Sequence, residues 1–213
     1  MAFIIGVAGT IGSGKSYVTK LFRKKGLPTV DADKIYHSLT NKRTELTDAL
    51  EKEFGSSIIN EDGSLNRSAL SKIVFSDPEK LKRLNELTHS SVIEMITRRF
   101  YLNIAKGYPI TVVEVPLMFE SGFDKKCAEI VCVVANDDTR VKRIMKRNGF
   151  TEEEAKKRIK NQKNDDFYIE NSTKIVYNET YKGARSDFER IYDEIMIAHG
   201  YDSDTTFPLD FIN

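Results

Sequence analysis

Phe3-Ile-Ile-Gly-Val-Ala-Gly-Thr-Ile-Gly-Ser-Gly-Lys-Ser16 decides the fold. Its first six residues are an apolar run of the length and character of a strand buried on both faces. The next eight, Gly9 to Ser16, satisfy G-x-x-x-x-G-K-[ST] in full. Glycines there let the backbone curl so that successive N–H groups point inward at phosphate oxygens. A helix starting near Lys15 adds its positive end. Lys15 then reaches the β- and γ-phosphates as a point charge, and the Ser16 hydroxyl ligates Mg²⁺. Gly9, Thr10, Ile11, Gly12, Ser13, Gly14, Lys15, Ser16 and the adjoining Tyr17 are therefore candidate ATP-binding residues. The loop alone does not separate a kinase from a GTPase or a motor.

Outward from the loop, strand and helix patterns alternate. Ser16–Lys25 has helical spacing, with Val18, Leu21 and Phe22 on one side. Strand candidates follow at Leu27–Val30, Ile110–Val115, Ile130–Ala135 and Lys174–Tyr177, and helical patterns occupy 139–147, 152–162 and 183–198. Such alternation predicts an α/β fold with a parallel sheet. Between about 34 and 105 the pattern is helical only, which predicts an inserted substrate lobe. Asp77-Pro78 within it reads as a cap followed by proline at a first helical position. The expected division is a core of about 1–33, 106–138 and 170–199, a lobe of about 34–105, a lid of about 139–165 and a tail, 200–213, without clear period.

The chain has 213 residues, 40% hydrophobic and 31% charged, with a formal net charge of +1. That is the composition of a globular protein with a core of ordinary size, and it carries no overall bias toward nucleic acid or membrane. Cys127 and Cys132 are too close for a disulfide framework and too few for a zinc site, so they read as core residues of a reducing compartment. No run approaches the length of a membrane span, and the N-terminus lacks a basic, apolar leader. The expectation is a cytoplasmic protein, monomeric or weakly homo-oligomeric, with no nucleic-acid or membrane partner.

Asp31-Ala-Asp33 follows the second strand candidate, at the edge where open parallel sheets bind ligands. Asp33 there suits acceptance of a proton from a substrate hydroxyl, with a helix cap as the plainer reading. Asp31 reads as that cap or as holding Mg²⁺ through water. Arg140, Arg143 and Arg147 lie on one helical face, and 140–163 holds ten Lys or Arg against three Glu. A solvated face explains such a cluster. After a fourth strand it also suits a mobile lid whose arginines neutralise a transferring phosphoryl group, with Arg140 first and Arg147 next. A GTPase reading finds no N-K-x-D signature, since Asn136-Asp-Asp lacks the lysine. RNA binding by 140–163 sits poorly with the near-neutral total charge.

The chain resembles the dephospho-CoA kinase family over roughly residues 3–178. The likeness rests on GVAGTIGSGKS at 6–16, VDADKIYHSL at 30–39, GSLNRSALSKIVFSDPEKLKRLNELTH at 63–89, VEVPLMFESG at 113–122 and RVKRIMKRNGFTEEEAKKRIKNQ at 140–162. The resemblance implies a nucleoside- and nucleotide-kinase-like three-layer fold with a five-stranded parallel sheet, a helical CoA-binding lobe and a lid. It implies transfer of the ATP γ-phosphate to the ribose 3′-hydroxyl of dephospho-CoA with Mg²⁺. By position, Asp33 matches the family's general base, Lys15 and Ser16 its phosphate and metal contacts, and Arg140 its lid arginine. His37, Arg67 and His89 fall in segments of its CoA-binding lobe, although His89 also reads as a half-buried helix histidine. Departures are Ala8 for threonine, Tyr36 for a small residue, Ser90 for proline, and Glu114 for aspartate. Glu114 suits holding a metal-bound water or balancing charge near the loop. Lys163–Lys174 has no match, which leaves the adenine side unassigned. Two alternatives stay open: a kinase of another small acceptor, such as a nucleoside or nucleoside monophosphate, and a catalytically weak ATP-binding regulator.

Overall fold

The computed structural model describes residues 1–202, 205 and 207. It divides into two compact units, Met1–Val30 with Phe100–Asn213, and Asp31–Arg99.

The first unit is built on a five-stranded sheet of order β2-β3-β1-β4-β5. Its strands are β1 (Phe3–Ala8), β2 (Thr29–Asp31), β3 (Ile110–Glu114), β4 (Glu129–Val134) and β5 (Lys174–Tyr177). Parallel pairing sets Phe3 opposite Ile110, Ile5 opposite Glu129 and Val131 opposite Lys174. All six residues of β1 and all five of β3 are buried. That is the condition of a strand with other structure on both faces, and it explains why these runs do not alternate with polar residues. β2 begins two residues later than the apolar pattern predicted. Pro28 has no N–H to give, and its carbonyl accepts instead from Val112 N at 2.9 Å.

Helices α1 (Lys15–Lys24) and α9 (Tyr181–Ala198) cover one face of the sheet. Val18, Leu21 and Phe22 of α1 and Phe188, Ile191, Tyr192 and Ile195 of α9 share one core with Ile5, Val7, Val112, Val131 and Val176. Each such side chain withdrawn from water contributes roughly 1.5–3 kcal/mol. α9 ends at Ala198, with Gly200 just beyond at φ 79°, a conformation glycine takes freely at a helix end. Tyr201 and Phe207 pack against this core. The rest of the tail, 203–204, 206 and 208–213, lies outside the described residues.

Between β4 and β5 come α6 (Asp137–Asn148), α7 (Glu152–Lys160) and α8 (Asp165–Glu170). Each starts on a polar cap: Asn136, the Thr151–Glu154 capping box, and Asn164. Val141 and Ile144 of α6 and Ala155 of α7 form a small core against which Ile11 of the phosphate loop packs.

The second unit contains α2 (Ala32–Thr40), α3 (Glu45–Phe54), α4 (Arg67–Val74) and the larger part of α5 (Pro78–Ala105). Its core is Leu46, Leu50, Ile58, Leu65, Leu70 and Val74. Asp77 caps α5, accepting from Glu79 N and Lys80 N, with Pro78 in the first helical position. The sequence pattern put the lobe boundaries near 34 and 105, whereas the units part at 30/31 and 99/100. α5 runs unbroken through the second boundary, so its periodicity conceals it.

Candidate active site

β1 delivers the phosphate loop at the carboxyl edge of the sheet, between neighbours β3 and β4, where open α/β sheets bind ligands. Gly12 (φ 80°) and Gly14 (φ 97°) are left-handed. A Cβ on Gly14 would lie 2.1 Å from Asn178 Nδ2, and one on Gly12 2.9 Å from the Arg140 carbonyl oxygen. Both positions therefore need glycine for conformation and for space. Lys15 opens α1 and folds back over the loop, donating from Nζ to Gly9 O at 2.9 Å and Thr10 O at 3.1 Å. Tyr17 packs on Tyr181 at 4.8 Å between ring centres.

Glu114, buried at the end of β3, faces the start of α1. It accepts from Ser16 Oγ at 2.9 Å and from Thr19 Oγ1 at 3.0 Å. A serine hydroxyl beside a carboxylate is a hard-oxygen pair suited to Mg²⁺. Among the described residues no group of three or more His, Cys, Asp or Glu could hold a metal. The donor set thus fits an ion shared with substrate phosphates, the usual binding mode of Mg²⁺, and not a closed protein cage.

The outer side of the loop is held by side chains from beyond β4. Arg140, only 3% exposed, donates from Nε to Ile11 O at 3.1 Å and pairs with Asp137 at 2.9 Å and Asp165 at 3.4 Å. Thr10 Oγ1 donates to the other Asp165 oxygen at 2.8 Å, and Ile11 N to Gln162 Oε1 at 2.7 Å. The expected lid arginine accordingly has its guanidinium tucked against the loop. A residue in the first turn of α6 points back toward that helix's N-terminus, where the loop lies. Arg147, two turns on, is exposed and donates to neighbouring Asn148. On α8 itself, burial pushes the Tyr168 phenol up to about 12, with Glu120, Cys132 and Asp165 adding to the effect. It stays neutral at ordinary pH.

Asp31 caps α2 through Lys34 N at 3.1 Å, the plainer of its two readings. Asp33 lies exposed in the first turn of α2. In the same unit Arg67 Nη2 meets His37 Nδ1 at 2.8 Å and Thr40 Oγ1 at 3.1 Å, while its guanidinium stands 5.4 Å from the Tyr36 ring centre. Burial raises the Tyr36 phenol, and Arg67 partly opposes the rise. His89 is half-buried on α5.

Sequence reasoning missed Gln162, Asp165, Asn178 and Thr19. The signal for Asp165 was faint: Asn164-Asp-Asp has the form of a helix start, but it sits in a polar run with no apolar period.

The parallel sheet of order 2-3-1-4-5, with a G-x-x-x-x-G-K-S loop leaving its central strand, defines a P-loop protein of the small-molecule kinase class. The dephospho-CoA kinase family model matches residues 3–182, and the chain belongs to that family. It is 36% identical over 196 residues to the dephospho-CoA kinase of Lactobacillus johnsonii, covering 92% of this chain and 98% of that one. A crystal structure of a Thermus thermophilus protein superposes with a TM-score of 0.76 at 30% identity, over 92% and 97% of the two chains. The dephospho-CoA kinase structure from Campylobacter jejuni, at 23% identity and a TM-score of 0.66 over 92% and 98%, has the same fold.

Proposed function

We infer that the chain phosphorylates the ribose 3′-hydroxyl of dephospho-CoA with ATP, giving coenzyme A in the last step of its synthesis. One observation carries this reading. The family match spans residues 3–182, so it takes in the helical segment at 63–89 as well as the loop that any P-loop kinase shares.

The proposed roles follow from the chemistry of an in-line transfer, in which the protein positions groups and stabilises charge. Gly12, Gly14 and Lys15 hold the β- and γ-phosphates. Asp33 orients the ribose hydroxyl and accepts its proton. Ser16, with Glu114 behind it, is the place for Mg²⁺, which when bound neutralises charge on the phosphate oxygens. Arg140 acts through the loop by holding the Ile11 carbonyl. His37 and Arg67, which meet at the surface of the second unit, suit a phosphate group of the acceptor, and His89 belongs to the same lobe. We place the reaction in the cytoplasm, in a monomer or weak homo-oligomer with no nucleic-acid or membrane partner. No helix among the described residues is long and apolar enough to cross a membrane.

Product analysis with ATP, Mg²⁺ and dephospho-CoA tests the reading. Coenzyme A and ADP should form in equal amounts. Turnover of a nucleoside or nucleotide acceptor in place of dephospho-CoA would overturn the acceptor, and ATP binding with no transfer to any acceptor would point to a regulator.

A further inference from the structure

Arg143 lies one turn beyond Arg140 on α6, half-buried. Its Nη1 donates to Gly12 O at 3.3 Å and Ser13 O at 3.0 Å, and its Nη2 to Asn178 O at 2.7 Å. Asn178 follows β5, is 1% exposed, and donates from Nδ2 to the same Ser13 O at 2.7 Å. The two terminal nitrogens of Arg143 thus go to three main-chain carbonyls. Its reach is possible because a guanidinium is a rigid fork with several donors, which a lysine ammonium is not.

The consequence follows from peptide geometry. In a planar trans peptide the carbonyl of one residue and the N–H of the next point in opposite directions. Fixing Gly12 O and Ser13 O outward therefore fixes the N–H groups of Ser13 and Gly14 inward. Ser13 N lies on that side and donates to Thr10 O at 3.3 Å, closing a turn of the loop on the carbonyl that Lys15 Nζ also holds at 3.1 Å. The inward side is thus the side of Lys15. Asn178 Oδ1 is buried with no hydrogen-bond partner among the described residues, so the side chain is held at the loop by its donor end.

We propose that Arg143, acting with Asn178, is a positioning residue that sets the peptide planes of Gly12–Gly14 so that the loop is a formed anion nest before ATP arrives. This assigns to Arg143 a duty different from that of an arginine closing over the transferring phosphoryl group. It rests on the nucleotide-binding half of the proposed function and not on the acceptor.

The test uses the full chain and Arg143→Lys, which keeps the charge and loses the fork. ATP with Mg²⁺, and separately AMP, which lacks the phosphates the nest would hold, are titrated calorimetrically. ATP should bind roughly tenfold or more weakly, the scale of losing one or two hydrogen bonds to a charged donor. AMP affinity should change by less than about twofold, since the β- and γ-phosphate contacts alone are affected. The KM for dephospho-CoA should be unchanged. Unaltered ATP affinity would overturn the proposal. So would an equal loss for AMP, which means contact with the nucleoside, or a fall in kcat with ATP binding intact, which means direct contact with the transferring group. If Arg143→Lys does not fold, Asn178→Ala serves. It should weaken ATP by about threefold and spare AMP, because one neutral hydrogen bond is lost, and equal effects on the two ligands would again overturn the idea. Wild-type protein that binds ATP but leaves dephospho-CoA untouched would refute the acceptor and leave this proposal standing.

Discussion

In the sheet unit the polar groups that hold the phosphate loop are buried or half-buried and bonded across long stretches of chain. Thr10 is fully buried and reaches Asp165, and Asn178 and Arg143 reach Ser13. In the helical lobe the candidate acceptor groups lie at the surface: His37 and Arg67 are exposed and hold each other. The lobe's ion pairs, Arg43 with Asp48 and Arg83 with Glu53 and Glu86, are exposed as well. Pairs of that kind contribute about 0–1 kcal/mol each. The contrast separates two ways of binding an anion. A buried framework fixes donor directions in advance and loses little entropy on binding. Surface side chains can adapt to a larger ligand, and ordering them costs free energy on contact. The first suits a compact triphosphate, and the second a long acceptor.

The largest expected effects test that division directly. Lys15→Ala removes the lysine cation that folds over the loop and should lower turnover by roughly 10²–10³-fold, the scale of losing one preorganised charge-stabilising donor. ATP affinity should fall with it. Asp33→Asn, in the other unit, should lower kcat by about 10²–10⁴-fold as the general base is lost, with ATP affinity preserved. Steady-state kinetics and ATP titration on both variants check the pair. A Lys15→Ala enzyme of normal activity would dismiss the nest, and an Asp33→Asn enzyme of near-normal kcat would dismiss the base.

Next in size is stability. Phe188 is 1% exposed and meets Phe22 edge-on at 4.8 Å between ring centres. Phe188→Ala should cost about 3–5 kcal/mol through lost burial and the cavity left behind. Leu50, fully buried in the lobe core, should cost about 2–5 kcal/mol as Leu50→Ala. Denaturant unfolding followed by ATP titration separates the units. The Leu50 variant should keep native ATP affinity under conditions where the lobe is weakened, and parallel loss of ATP binding would show the lobe supporting the nest.

What the sequence made legible divides along the same line. The loop, the Asp77 cap and four of the five strands are local signals, and they fall within a residue of where the pattern put them, whereas β2 starts two residues late and the caps at Asn136 and Thr151 went unread. The outer framework is not local. Thr10 and Asp165 are 155 positions apart, and Ser13 and Asn178 are 165 apart. Helical spacing placed Arg140, Arg143 and Arg147 on one face of α6, but spacing cannot tell which arginine points at the loop and which at water. Asp165 and Gln162 sit in a polar segment without period, so nothing in it marked two side chains as loop contacts.

A smaller effect is expected in the lobe. Arg67→Ala removes the partner of His37 and the cation over Tyr36. The KM for dephospho-CoA should rise by about tenfold, the worth of one charge-assisted hydrogen bond, while the KM for ATP stays within about twofold because the nest is untouched. Equal changes in both KM values would mean that the two anion sites are not independent.

The smallest effect concerns pH and belongs to the sheet unit alone. Burial pushes both the Cys127 and the Cys132 thiols up to about 12. Asp124 adds to the rise at Cys127. At Cys132 Asp165 raises the value while Lys15 and Ser172 lower it. A folded-state value above the ordinary 9.0 means that the folded protein keeps the proton where the unfolded chain releases it. The stability this confers is complete below pH 9 and is lost progressively as pH climbs toward about 12. Thermal midpoints taken upward from pH 8 should therefore fall more steeply in the wild type than in Cys127→Ala, which lacks one of the two linked protons. The helical lobe has no cysteine, so its unfolding should not share this slope. Below pH 9 a thiol reagent should label the buried Cys132 only when the sheet unit opens, and the half-buried Cys127 more slowly than an unhindered thiol. Fast labelling of native protein would show that the Cys127 thiol is not held in the environment that raises it.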